Sequence, residues 1–168
     1  LIFWDNLSHD RSREIILSYP DKRIKYFKAK NFSTLYKSRN LAIKKTKGKF
    51  ICFLDTDDWW NKNKLSKQVE LIKKNRKVKF IYSNLYLYNQ NNKTKRLISK
   101  NKLPDGKITQ NLLNDYKIGM LTVMLCKKIF KNKQFNPNYN IIGDFDFFLN
   151  LSLVEKFYCI QDPLAFYR

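Results

Sequence analysis

The stretch FICFLDTDDWW, residues 50–60, decides how the rest of the chain is read. Its first five residues form an unbroken apolar run, as expected for an interior strand of a sheet covered on both faces. Asp55, Asp57 and Asp58 then fall within four positions, in a chain that has 14 acidic residues against 34 Lys and Arg. Such scarcity argues that the cluster is not a by-product of composition. Asp55 and Asp57 stand two residues apart on backbone leaving a strand, so both can turn toward one spot, where their mutual repulsion asks for a cation. Hard oxygen ligands suit Mg²⁺ or Mn²⁺, and Mg²⁺ is commonly held by one or two carboxylates completed by substrate phosphates and water. A phosphate-bearing ligand at the carboxyl end of a strand is therefore expected, the place where open α/β sheets bind their ligands. The plainer alternative, a solvated turn whose acids cap the following helix, uses one acid and leaves two unexplained.

Outward from this stretch the chain alternates strands and helices. Upstream, LIFWD reads as a strand and DNLSHDRS as a turn into a helix capped by Asp10 or Ser12, with Glu14 in its first turn. Ile15, Ile16 and Tyr19 offer that helix a buried face, and Pro20 ends it. IKYF at 24–27 is a second strand, and Ser33 to Lys45 has helical spacing through Leu35, Leu41 and Ala42, closing at Gly48. Downstream, Asn61 can cap a helix with Leu65, Val69 and Ile72 on its buried side and lysines on the other. KFIYSNLYLY (79–88) and KRLIS (95–99) flank the polar turn NQNNK as a hairpin, and ITQNLLNDY supplies a short helix. LTVMLC at 121–126 and FYCI at 157–160 are strands, and Asp144 to Val154 is helical, with Phe148, Leu151 and Val154 on one side. This order predicts an α/β protein, and 168 residues with 43% hydrophobic content suit one domain over residues 1–168.

Composition narrows the function classes. No apolar run is long enough to span a bilayer and the N-terminus lacks a signal-peptide pattern, so a cytoplasmic chain is expected. Cys52, Cys126 and Cys159 are far apart and odd in number, which fits buried free thiols better than a metal or disulfide framework. The net charge of +20 suits anionic partners, including contact with an anionic membrane surface at its inner face. The abundance of Asn, Lys, Ile, Tyr and Phe beside four Gly and four Pro offers a second source for that charge, an A/T-rich coding sequence. Nucleic acid is disfavoured as a partner. Most aromatics lie in apolar runs rather than interleaved with lysines, and the acid cluster would repel a polyanion. His9, the lone histidine, lies in a loop and gives no support to histidine chemistry. Tyr82, Tyr86 and Tyr88 alternate as a half-buried strand does, and at least one of Trp59 and Trp60 is expected to serve packing.

Several elements in order carry a family resemblance. RNLAIKKTKGKFI followed by FLDTDDWWNKNKLSKQ closely resembles the inverting family 2 glycosyltransferases, whose nucleotide-sugar domain reads ARN-x-G/A-I, a Gly, hydrophobic-LDxDD with an aromatic, then KL-x-x-Q. LIFWDNLSHDRS is similar to that family's second strand and its acidic loop, and IIGDFDFFLNLS to the acidic segment before its late helix. The resemblance covers residues 1 to about 168 and implies a GT-A-like, Rossmann-related three-layer sandwich with a mostly parallel central sheet. It also implies a first strand ahead of Leu1 and a continuation after Arg168.

By the same resemblance the activity is transfer of a hexosyl or N-acetylhexosaminyl group from a nucleotide-diphosphate sugar to an acceptor hydroxyl with inversion. The acceptor would be a saccharide, a lipid-linked saccharide or a protein, in cell-surface glycan synthesis. Carried over residue by residue, Asp5 bonds the donor base, Arg39 and Asn40 line the nucleotide side, and Asp55 orients the ribose or a metal-bound water. Asp57 ligates Mn²⁺ or Mg²⁺, and Asp144 is the general base. Gly143 departs from the Glu often found before that Asp, Asn150 from an Arg, and Asp146 is a second candidate base by spacing. An Asp that merely opens a helix is the plainer reading of Asp144. A DxD phosphatase of the haloacid-dehalogenase type fits less well, since its motif continues with Thr or Val where Trp59 stands and lies on the first strand of its domain.

Overall fold

The FICFL run forms β3 over Phe50–Cys52, and the chain leaves the strand before Asp55. A computed structural model describes residues 1–168, and the chain divides into two compact units, Leu1–Gly48 with Lys133–Phe147, and Lys49–Asn132 with Phe148–Arg168.

In the first unit β1 (Ile2–Asp5) and β2 (Lys25–Lys28) pair in parallel, joined through α1 (Ser12–Ser18). Helix α2 (Leu35–Lys45) starts at Thr34, whose hydroxyl accepts the Lys37 amide at 3.4 Å. Asp10 Oδ1 accepts the Ser12 amide at 2.9 Å, but Arg11 rather than Asp10 or Ser12 holds the N-cap position of α1, and no side chain caps that helix. The expected buried face of α1 is not formed: Ile15 and Tyr19 are 54% and 60% exposed. Apolar spacing reports which face a helix offers, and not that something covers it.

The second unit holds a six-stranded sheet in the order β3-β7-β5-β8-β4, with β6 beside β5. Its further strands are β4 (Trp59–Trp60), β5 (Phe80–Asn89), β6 (Thr94–Leu97), β7 (Met124–Cys126) and β8 (Phe157–Tyr167). Only β5 and β8 run parallel here, and the other pairings are antiparallel, so this sheet is mixed rather than mostly parallel. β3 ends the sheet order instead of lying inside it. A run of apolar residues signals covered faces, which says nothing of how many strands lie beside it. β8 continues past FYCI through Pro163, and its register against β5 shifts at Asn84, whose Oδ1 accepts the Leu85 amide and whose Nδ2 donates to Ser99 O. The extra residues lie in β8 itself, on either side of Pro163, as suits a proline that donates nothing to the ladder.

Phe80 anchors this unit's core, stacked on Phe157 at 3.7 Å and meeting Phe148 edge-on at 5.1 Å, all three fully buried. Burying each such ring contributes on the order of 1.5–3 kcal/mol. A second cluster joins Val78, Ile81 and Met124 to Phe50, Leu71 and Ile72. Two further helices are α4 (Thr109–Asn114) and α5 (Gly143–Ser152), and short 3-10 turns cover Met120–Thr122 and Lys127–Lys131. α5 stops short of Val154, which is exposed. The three cysteines are free, as expected, and half-buried.

Helix α3 (Lys64–Lys74) departs most from its sequence pattern. Leu65 and Val69 are exposed, whereas Lys64 and Gln68 are fully buried. The buried stripe is set one residue earlier because this pair is satisfied internally. Lys64 Nζ donates to Gln68 Oε1 at 3.0 Å and lies 4.3 Å from the centre of the Trp60 ring, and Gln68 Nε2 donates to Thr122 O at 2.8 Å. Burial pushes the Lys64 ammonium down to about 8, against the pull of Cys52. The KL-x-x-Q pattern is thus a polar tie inside the unit, while lysine's methylene stem supplies its packing.

Candidate active site

The acid loop belongs to the second unit. Asp55 and Asp57 are exposed just past β3, and a turn closes the loop through the Asp58 amide donating to Asp55 O at 3.1 Å. Asp58, given no role by the sequence, points inward: it is 9% exposed, and its Oδ1 accepts the Arg168 amide at 3.0 Å. Burial pushes its carboxyl up to about 6; the Arg168 amide opposes the rise, and the charges of Asp57 and Asp55 add to it. One acid therefore fixes the loop while two face outward.

The two tryptophans next to the loop divide the labour. Trp60 Nε1 donates to Leu121 O at 2.8 Å, while Trp59 stacks on Phe166 at 5.1 Å and meets Tyr88 edge-on at 5.1 Å. Both serve packing, and Trp59 keeps 38% of its surface exposed. Beyond them an open cleft of 620 Å³ is lined by residues including Tyr88, Lys95, Arg96, Tyr167 and Arg168.

The titration of Asp58 predicts a pH signature. Its folded value lies above the ordinary 3.8, so from roughly pH 4 to roughly pH 6 the folded chain keeps a proton that the unfolded chain releases. Stability falls across that window as pH rises, and the penalty is complete above it. Asp58→Asn keeps an oxygen for the Arg168 amide without the charge. It should raise Tm in chelator at about pH 7.5 and leave Tm unchanged near pH 4. An equal effect at both values would show that the Asp58 charge is not the cause.

Asp5, Arg39, Asn40 and Asp144 belong to the first unit. Asp5 is 2% exposed at the end of β1, accepting the Ser8 amide at 2.6 Å and the Tyr26 hydroxyl at 2.5 Å. Burial raises its carboxyl, but the Tyr26 and Ser8 hydrogen bonds outweigh burial and hold it below the ordinary range. It is an ionised, well-partnered group that shapes the loop after β1. Asn40 grips the chain, its Nδ2 donating to Phe135 O at 2.8 Å and its Oδ1 accepting the Phe135 amide at 3.1 Å. Arg39 lies over the Tyr36 ring, 5.2 Å from its centre.

Tyr36 is the residue that the sequence reading missed. It is 3% exposed, its ring lies 5.5 Å from that of Phe135, and its hydroxyl donates to Asp144 Oδ1 at 3.0 Å. The first turns of α2 therefore hold the segment carrying Asp144 through Tyr36 and Asn40 together. Gly143 shows why no larger residue precedes Asp144: a Cβ there would lie 2.5 Å from the Tyr36 ring. The residue before it, Ile142, has a φ of 61°, a costly conformation for a β-branched side chain. Its carbonyl accepts the Asp146 amide at 3.0 Å, which starts α5. A glycine directly before the candidate base was the one sequence signal that pointed to a close neighbour.

The side chains assemble no group of three or more His, Cys, Asp and Glu around a common point. The exposed pair Asp55 and Asp57 suits a sparse Mg²⁺ or Mn²⁺ site that substrate phosphates complete.

S. aureus TarS 1-349 in complex with UDP superposes with a TM-score of 0.76 at 18% identity, over 99% of this chain and 50% of that one. This likeness bears out the α/β, GT-A fold expected from the sequence. The Escherichia coli UDP-Glc:alpha-D-GlcNAc-diphosphoundecaprenol beta-1,3-glucosyltransferase WfgD is 31% identical over 156 residues, 92% of this chain and 58% of its own length. The putative teichuronic acid biosynthesis glycosyltransferase TuaG of Bacillus subtilis is 31% identical over 172 residues, 100% of this chain and 66% of its own. The chain thus spans between half and two thirds of these relatives. The family model for glycosyl transferase family 2 matches residues 1–144, which takes in both the acid loop and Asp144, and the chain belongs to that family.

Proposed function

We propose that this protein transfers a sugar from a nucleotide-diphosphate donor to an acceptor hydroxyl with inversion, in the synthesis of a cell-surface glycan. The observation that carries the reading is the exposed Asp55-x-Asp57 pair just past β3, within the segment matched by the family. A uridine diphosphate donor is favoured by the name of WfgD and by the TarS complex with UDP. A lipid-linked saccharide acceptor is favoured by the name of WfgD.

In this reading Asp57 ligates a Mn²⁺ or Mg²⁺ ion and Asp55 orients the ribose or a metal-bound water. Bound there, a divalent ion would neutralise charge developing on the departing diphosphate. Asp5, Arg39 and Asn40 form the nucleotide side, Asp5 and Asn40 chiefly by holding the backbone that lines it. Asp144 takes the proton from the acceptor hydroxyl, whose oxygen attacks the anomeric carbon opposite the leaving group. A single displacement needs no covalent enzyme intermediate, and so no activated nucleophile on the protein. No helix is long and apolar enough to cross a membrane. The +20 charge supports peripheral contact with anionic lipid at the cytoplasmic face, where a lipid-linked acceptor would be met.

Proton NMR of the reaction product tests the chemistry. An α-linked donor sugar should give a β-linked product, with one nucleoside diphosphate released per bond formed. Retention of configuration would rule out single displacement with Asp144 as base.

A further inference from the structure

We infer that Tyr36 is a positioning residue for sugar transfer, holding the Asp144 carboxylate through its buried hydroxyl, and that Gly143 exists to admit its ring. The inference rests on the reading of Asp144 as the general base.

Three observations within the first unit converge on it. The Tyr36 hydroxyl donates to Asp144 Oδ1 at 3.0 Å, across 108 positions of sequence. The Tyr36 ring is itself fixed: it is buried, tilted against Phe135, and has Arg39 above it. Gly143, adjacent to Asp144, leaves the only backbone that fits, because a Cβ would meet three ring carbons at 2.5, 2.6 and 2.8 Å. A ring enclosed by packed side chains cannot yield as the end of a flexible chain does. A large aromatic at 36 and the smallest residue at 143 therefore fit together sterically. Burial and the Asp144 charge push the Tyr36 hydroxyl up to about 12, so it stays a donor across the working pH range.

The proton balance is simple. The acceptor hydroxyl gives its proton to Asp144 as its oxygen bonds to the anomeric carbon, and the electron pair of the broken bond leaves on the diphosphate. Tyr36 neither gives up nor gains a proton. It fixes one carboxylate oxygen so that the group meets the acceptor in one orientation, which is the role of a supporting residue in a preorganised site.

Steady-state kinetics of the protein with Tyr36→Phe, Asp144→Asn and the double substitution test this. Tyr36→Phe keeps the ring and removes the bond, so kcat should fall about tenfold or more, the scale of a hydrogen bond to a charged group. Donor Kd should stay within about twofold, since uniform binding is untouched. In the Asp144→Asn background, Tyr36→Phe should change kcat no further. Wild-type kcat in Tyr36→Phe, beside an inactive Asp144→Asn, would overturn this inference and leave the base in place. Wild-type kcat in Asp144→Asn would overturn the base and the inference with it. If Tyr36→Phe does not fold, Gly143→Ala serves: it keeps the hydroxyl but displaces the ring, and should lower kcat at unchanged donor Kd. Unchanged kcat in Gly143→Ala would then overturn the inference.

Discussion

Asp144→Asn is expected to lower the rate of sugar transfer by on the order of a hundredfold or more, the usual scale for loss of general-base assistance. The substitution keeps the shape of the site. An Asn oxygen still accepts from the Tyr36 hydroxyl, and the neighbouring Ile142 and Gly143 backbone is untouched. Donor and metal affinity should therefore survive, because Asp57 and the loop held by Asp5 remain. That split between kcat and binding marks a residue acting on the acceptor proton. Asp146 is the control. It lies one turn into α5, its amide bonded to Ile142 O. Should Asp146→Asn abolish transfer while Asp144→Asn transfers at the wild-type rate, the base is Asp146 and the Tyr36 bond is structural.

Asp57→Asn should behave differently, weakening donor binding and turnover together. A metal ligand contributes both to holding the diphosphate and to stabilising it as it leaves, so its loss is felt in the ground state and the transition state. Removing one of two carboxylates also lowers the negative charge that attracts the ion. The expected loss in kcat/KM is about a hundredfold or more, with part of it restored by raising Mn²⁺. Stability should be nearly unaffected, since Asp57 is exposed.

Much of this was legible along the chain, for definable reasons. The FICFL run and the acids behind it announce a strand and its exposed end, and the structure places Asp55 and Asp57 there. Local signals are strong in that case because the strand, the turn and the acids are contiguous. Helix α2 was also readable from its spacing, although it ends at Lys45 with Thr46 as its cap, before the expected stop at Gly48. The register of α3 was not. Leu65 and Val69 carry the better apolar spacing, yet Lys64 and Gln68 are inside, because Trp60 and Thr122 satisfy them from elsewhere in the unit. A pattern rule assigns polar groups to solvent and has no knowledge of a distant partner.

The same limit applies to the site. Asn40 was read as a ligand residue, and its amide is engaged by the Phe135 backbone, 95 positions away. Nothing in the sequence sets Tyr36 apart from the other aromatics. Only tertiary contact shows it beside Asp144, and only then does Gly143 become intelligible as the space its ring occupies. Asp58 was grouped with its neighbours by sequence, whereas its burial separates it from them. Strand direction was missed for a related reason. Apolar runs at β5 and β7 look alike whichever way they run, and the connections here give antiparallel neighbours.

The central claim is that the acid loop holds a donor diphosphate through a divalent cation, and calorimetric titration tests it most directly. Uridine diphosphate should bind the protein in Mn²⁺, bind at least tenfold more weakly in chelator, and need a higher Mn²⁺ concentration to bind Asp57→Asn. Equal affinity with and without the cation, unchanged by Asp57→Asn, would contradict the account.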